Sequence, residues 1–149
     1  MGHRGAGYQR RRRADGLALQ PRDLQRGRGV TTVIEPQLRD RATAVVIRDG
    51  KVLLVHGRNP TFAMPGGGIE LGESADCAAM RELFEETGLK ASQTKFLFIM
   101  ETAIHRHHVF LIEADGEVDA GPEISEFRWW DKKENLPIYS HVESILERL

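Results

Sequence analysis

Glu82, Glu85 and Glu86 stand three and four residues apart in the run Arg81-Glu82-Leu83-Phe84-Glu85-Glu86, shortly after a proline-glycine segment. Residues so spaced are neighbours on a helix surface, where each like-charged pair costs a few tenths of a kcal/mol. A divalent cation turns that repulsion into attraction, because carboxylate oxygens are the ligands hard cations take. At the helical repeat Ala75, Ala79, Met80 and Leu83 form an apolar stripe, with the three glutamates and Ala78 along its border. The carboxylates are therefore expected to be half inside, with small Ala75 and Ala78 leaving room for a metal and its waters. The competing reading is a solvated charged face.

Such carboxylates need a helix with defined ends. Ser74 suits the N-cap, Asp76 in the first turn favours the helix dipole, and Gly88 suits a left-handed C-terminal cap. The spacing predicts a helix over 75–87. Met64-Pro65-Gly66-Gly67-Gly68 precedes it as a loop with almost no side chains, so its backbone can approach a ligand closely.

Gly67, five residues, Glu73, seven residues, then Arg81-Glu82-Leu83-x-Glu85-Glu86-x-Gly88-Leu89 resembles the Nudix box, with every fixed position filled. A looser resemblance runs from Arg41 to Leu149. It implies an α/β fold, an α/β/α sandwich with a mixed β-sheet on which the box docks as a loop-helix-loop. It also implies hydrolysis of a pyrophosphate bond in a nucleoside diphosphate linked to another moiety. On the resemblance, Glu82, Glu85 and Glu86 bind Mg²⁺ or Mn²⁺, the Gly66 carbonyl adds an oxygen ligand, and Arg81 holds the carboxylates. Glu73 supports the loop or contacts a metal-bound water. Glu82 is the first choice of general base. Glu123, six residues before Trp129, is the second and a candidate metal ligand from outside the box, with Glu126 competing for that place.

On the substrate side the resemblance points to Gly67, Gly68 and Phe62, the last opening an aromatic-x-x-Pro-Gly-Gly segment. His107 is a further cleft candidate, set against a solvated strand turn. His105, His107 and His108 do not make a zinc site, since strand alternation sends His107 and His108 to opposite faces and no cysteine accompanies them. Residues 90–108 contain neither the proline nor the tyrosine that some relatives with ADP-ribose or dinucleoside polyphosphate activity carry after the box. A small nucleotide is the expected substrate class. A Nudix-like sensor that binds without cleaving is expected to have lost a box carboxylate, and none is lost.

At 149 residues and 16.8 kDa the chain accommodates one domain and an extension. Residues 1–41 hold 10 lysines and arginines against 4 acidic residues, and the other 108 hold 11 against 18. The acidic body disfavours a nucleic-acid surface and an RNA 5′-pyrophosphohydrolase, which needs a basic groove. Residues 1–40 read as a basic, disordered extension and 41–149 as the folded domain, with 1–29 dispensable for folding. Cys77, the one cysteine, is expected as a small packed residue and suits a reducing compartment. With no membrane-length apolar run and no signal-peptide core, the chain is expected to be soluble and cytoplasmic, a monomer or homodimer.

Asp49-Gly50 predicts a hairpin between strands over 42–48 and 51–56. Further strands are expected over 95–103, 107–114 and 127–130, with Trp129 and Trp130 divided between core and surface. Ser140-His141-Val142-Glu143 reads as a capping box opening a last helix whose Val142, Ile145, Leu146 and Leu149 share a face.

Overall fold

The computed structural model describes residues 37–149. The expected extension over residues 1–40 lies almost wholly outside them, and the first strand already begins at Arg39. Seven strands and two helices follow: β1 (Arg39–Val45), β2 (Ile47–Arg48), β3 (Lys51–His56), β4 (Gly66–Gly68), α1 (Ala75–Thr87), β5 (Lys90–Glu101), β6 (His105–Asp115), β7 (Glu126–Trp130) and α2 (Ser140–Glu147). Among the described residues no helix is long and apolar enough to cross a membrane.

The strands form two sheets. A mixed four-stranded sheet has the order β4-β1-β6-β5, with β1 parallel to β6, and a three-stranded antiparallel sheet has the order β2-β3-β7. The expected strand over 42–48 is therefore divided. Up to Val45 the chain pairs with β6, and over Arg41–Thr43 also with β4; beyond Val46 it leaves them and pairs with β3. Asp49 and Gly50 take φ of 53° and 77°, the two left-handed residues of a tight hairpin turn. The hairpin is real, but its first arm is two residues long.

Both faces of the strands are covered, and residues alternate between two cores as a period of two requires. Ala42, Ala44, Val46, Leu53, Phe110 and Ile112 pack under Ala78, Ala79 and Leu83 of α1. Val45, Val52, Leu54, Val109 and Trp130 pack under Val142 and Ile145 of α2. Helices thus lie on opposite sides of the strands, the α/β/α layering. Trp130 is buried and Trp129 half-buried.

The helix termini differ from expectation in detail. α1 spans the expected residues, and Gly88 closes it at φ 73° with its N–H donating to the Phe84 carbonyl at 2.8 Å. Ser74 holds the N-cap position in extended conformation, yet its hydroxyl makes no cap bond. The capping box at Ser140 does not form: Tyr139 is the N-cap residue, and its carbonyl accepts from the Val142 N–H at 2.9 Å. Leu149, past the end of α2, is half exposed. Cys77 is exposed, lying outside the apolar stripe of α1. Ala78 is fully buried in the core, so it does not line the carboxylate border.

Candidate active site

The glycine segment before α1 is a short strand, because Gly66, Gly67 and Gly68 pair with Thr43, Ala42 and Arg41 of β1. This pairing sets the glycines against the helix. A Cβ on Gly66 would strike the Ala42 carbonyl, and one on Gly67 would collide with the Glu82 carboxylate. Glycine at 67 is what lets that carboxylate lie against the backbone. The Gly66 N–H donates to Glu86 Oε1 at 3.2 Å.

Arg81 ties the face together. Its Nε and Nη2 donate to the two oxygens of Glu73 at 2.7 and 2.9 Å, a bidentate pair. Its Nη1 donates to Glu82 Oε1 at 3.0 Å and Glu85 Oε1 at 3.1 Å, and Nη2 also reaches the Gly68 carbonyl at 3.1 Å. Glu73 in turn accepts from the Glu70 N–H at 3.0 Å, closing the turn before the helix. Bonding to Arg81 holds the Glu73 carboxyl at about 2, and the same bond raises Arg81 further above its ordinary range.

The three glutamates differ in setting. Glu85 is exposed, whereas Glu82 and Glu86 are half-buried. Burial, reinforced by the neighbouring charge of Glu82, pushes the Glu86 carboxyl up to about 8 despite the Gly66 N–H. Among the described residues no three His, Cys, Asp or Glu side chains already converge on a metal position. The Arg81 guanidinium stands among the carboxylates instead. The donor set is all oxygen, which is the chemistry a Mg²⁺ or Mn²⁺ site requires. The residues fit such an ion, provided Arg81 Nη1 yields its contacts with Glu82 and Glu85.

Beside this face opens a cleft of about 280 Å³, lined by Gly66 and Glu86 together with Arg41, His56, Arg58 and Tyr139. His56 is fixed by contacts of its ring nitrogens with the Gly57 carbonyl at 2.9 Å and Glu126 at 3.2 Å. Glu126 is also paired with Arg128, so it is occupied away from the carboxylate face. Glu123 is exposed on the loop before β7, and its neighbour Ile124 lines the cleft.

Two candidate substrate contacts lie deeper than expected. Phe62 is 3% exposed, in the core against Val142 and Ile145. Its backbone exchanges bonds with the segment before α2, its N–H donating to the Pro137 carbonyl at 2.8 Å and its carbonyl accepting from the Tyr139 N–H at 3.1 Å. It thereby fixes a cleft residue rather than lining the cleft itself. His107 is 1% exposed, with Nδ1 3.0 Å from the Thr43 hydroxyl and Nε2 unpartnered, not a solvated turn residue. His108 lies on the other side of β6, 2.9 Å from Asp40, as alternation requires. Arg41, His56, Arg58 and Tyr139 were not marked by any motif. β1 pairing with β4, the bridge between Val55 and Ala63, and the contact of residue 62 with residues 137–139 assemble them beside α1.

Residues 38–149 match the family model of the NUDIX domain. The chain is 34% identical over 104 residues to an ADP-ribose pyrophosphatase of Methanocaldococcus jannaschii, covering 62% of this chain and 61% of that protein. It is 40% identical over 70 residues to a mouse diphosphoinositol polyphosphate phosphohydrolase, covering 44% and 43%. The matches thus span about half the length of these relatives. A crystal structure of a nudix hydrolase family member from Chromobacterium violaceum superposes with a TM-score of 0.70 at 29% identity, covering 77% of this chain and 78% of that one. With the complete box placed as a loop-helix-loop on a mixed sheet, this chain belongs to the Nudix hydrolase family.

Proposed function

We propose that this chain is a divalent-metal-dependent hydrolase that cleaves a pyrophosphate bond in a small nucleotide, a nucleoside diphosphate linked to another moiety. The observation that carries this reading is the placement of Glu82 and Glu86 against Gly67 and Gly66 at one edge of an open cleft, with Glu85 beside them. Glu82, Glu85, Glu86 and the Gly66 backbone would hold Mg²⁺ or Mn²⁺. When bound, such an ion neutralises phosphate oxygens and lowers the pKa of its water.

The rest falls to the chain's own residues. Glu82, its carboxylate set against the Gly67 backbone, takes a proton from the attacking water, and Glu123 at the rim is the second candidate for that step. Glu73 fixes the turn through Arg81 and Glu70 rather than touching substrate. Gly67 and Gly68 give the pyrophosphate a wall without side chains. Arg41 and Arg58 supply the positive charge a polyphosphate meets in a domain of acidic balance. The substrates named for the two relatives, ADP-ribose and diphosphoinositol polyphosphates, are both pyrophosphate compounds and set the range to screen.

The test is chromatographic analysis of products, nucleoside monophosphate, sugar phosphate, phosphate and pyrophosphate alike, over nucleoside triphosphates, nucleotide sugars, ADP-ribose, a diphosphoinositol polyphosphate and 5′-triphosphate RNA, with and without Mg²⁺. Turnover is expected only with the metal and is expected to rise toward alkaline pH, because a carboxylate cluster and a metal-bound water both work best deprotonated. Full activity in excess EDTA would remove the metal mechanism. Silence on every substrate would favour a binding protein.

A further inference from the structure

At the far side of the cleft three rings stack in a column that the carboxylate chemistry does not use. His107 lies against His141 with centroids 4.6 Å apart and planes tilted by 32°, and His141 lies against Tyr139 at 5.5 Å and 17°. The column starts in the core, where His107 meets the Thr43 hydroxyl, and ends at Tyr139, which is 39% exposed and lines the same cleft as Glu86 and Gly66. The Tyr139 backbone is pinned on both sides, its N–H donating to the Phe62 carbonyl and its carbonyl accepting from the Val142 N–H. The ring is therefore presented at a fixed place by a structure already folded around it.

Arg41 of β1 pairs with His107 of β6 on one edge and with Gly68 of β4 on the other, and it lines the cleft together with Glu86. Burial above all, and the charge of Arg41 with it, keeps His105, His107 and His141 neutral. Neutral imidazoles stack beneath Tyr139 without adding charge repulsion to the column. A stack with one open face in a nucleotide-sized cleft takes another flat ring, and a π-face accepts any base because it carries no hydrogen-bond pattern.

We infer that Tyr139 is the nucleobase platform of this cleft: the base stacks on its open face, and Arg41 takes the anionic sugar-phosphate that leads from the base to the carboxylates. The inference rests on the reading that a nucleotide derivative binds here, and it adds a residue that holds the base and a tolerance of base identity.

The test titrates the full chain with AMP, GMP, UMP and, as the base-free probe, ribose 5-phosphate, followed by calorimetry and NMR. AMP, GMP and UMP are expected to bind within a few-fold of one another, each roughly tenfold or more tighter than ribose 5-phosphate, the order of one base-aromatic stack. Tyr139→Leu is expected to lose that gain for AMP and leave ribose 5-phosphate unchanged, while Tyr139→Phe keeps it. In the unsubstituted protein AMP is expected to shift the Tyr139 ring resonances, a readout that needs no variant to fold. Equal binding of AMP and ribose 5-phosphate, as a base-free substrate would give, overturns the platform. So does a Tyr139→Leu protein that binds AMP normally. Metal-dependent hydrolysis with a Tyr139→Leu kcat/KM unchanged on nucleotides overturns the platform and leaves the hydrolase reading. AMP seated on Tyr139 with no turnover of any substrate overturns the hydrolase reading and leaves the platform.

Discussion

Glu86 shows how position, not residue type, sets the properties of this face. In the unfolded chain its carboxyl titrates near 4.5, and in the fold at about 8. A group raised on folding contributes stability that is fully present below the lower value and lost as pH rises through the higher one. At about 1.4 kcal/mol per pKa unit the loss is on the order of a few kcal/mol. Urea unfolding of chelator-treated protein should therefore show a lower midpoint at pH 9 than at pH 6, and Glu86→Gln should flatten the difference. Equal midpoints for the unsubstituted protein would sink the argument. Glu82→Gln and Glu85→Gln should each lower kcat by roughly 100-fold, what one catalytic group contributes. Their melting temperatures should hold or rise, because each removes a charge from a repelling cluster. Gly67→Ala is expected to cost activity as well, since the added Cβ displaces the Glu82 carboxylate. Normal turnover in that variant would show that Glu82 need not lie against the backbone.

At the scale of the element, α1 and the turn before it act as one piece. Arg81 bonds or pairs with Glu70, Glu73, Glu82, Glu85 and the Gly68 carbonyl, so a single guanidinium joins the turn, the glycine strand and the helix. Arg81→Ala should lower activity and melting temperature together, unlike the glutamine variants, because it strands half-buried carboxylates without a counter-charge. A stable Arg81→Ala protein would show that the turn holds without it. The other end of α1 depends on backbone conformation. Gly88 sits at φ 73°, and an added Cβ would meet Asp119 only at ordinary contact distance. The expected cost of Gly88→Ala is thus the left-handed penalty, about 1–2 kcal/mol, measurable as a shift of the urea midpoint.

Across the whole domain the second core carries the acid sensitivity. Burial is the chief cause that holds His107 at about 3 and His141 at about 4, aided for His107 by the charge of a protonated His141 and for both by Arg41. Both values lie below the ordinary 6.5, so the stability they represent is present above 6.5 and lost as pH falls through 4 and then 3. The predicted consequence is a melting temperature that declines steadily from pH 6.5 to 4. His141→Phe, which keeps a ring in the stack and removes its proton site, should make that decline shallower. An unchanged slope would mean that this pair does not set the acid limit. Glu73, held at about 2 by Arg81, adds to the loss as pH falls below 4.5 toward 2.

What the sequence determined by itself was local: the helix over 75–87, the Gly88 cap, the Asp49-Gly50 turn, and the carboxylate face all rest on spacings of a few residues. These follow from helical and turn geometry, which neighbouring side chains and φ preferences settle without distant contacts. Tertiary structure decided the rest, because it depended on which strands pair. The chain changes sheets at Val46, pairing with β6 up to Val45 and with β3 from Ile47. Phe62 and His107 went to the core because the docking of α2 covers them, which no short window of the chain reports. Arg41 and Tyr139 lie 98 positions apart. They share the cleft with Glu86 because β1 pairs with the glycine strand under α1 while Phe62 bonds the segment that opens α2. Such long-range pairings lower the free energy only when both cores close together, so they leave no trace in any short window of the chain.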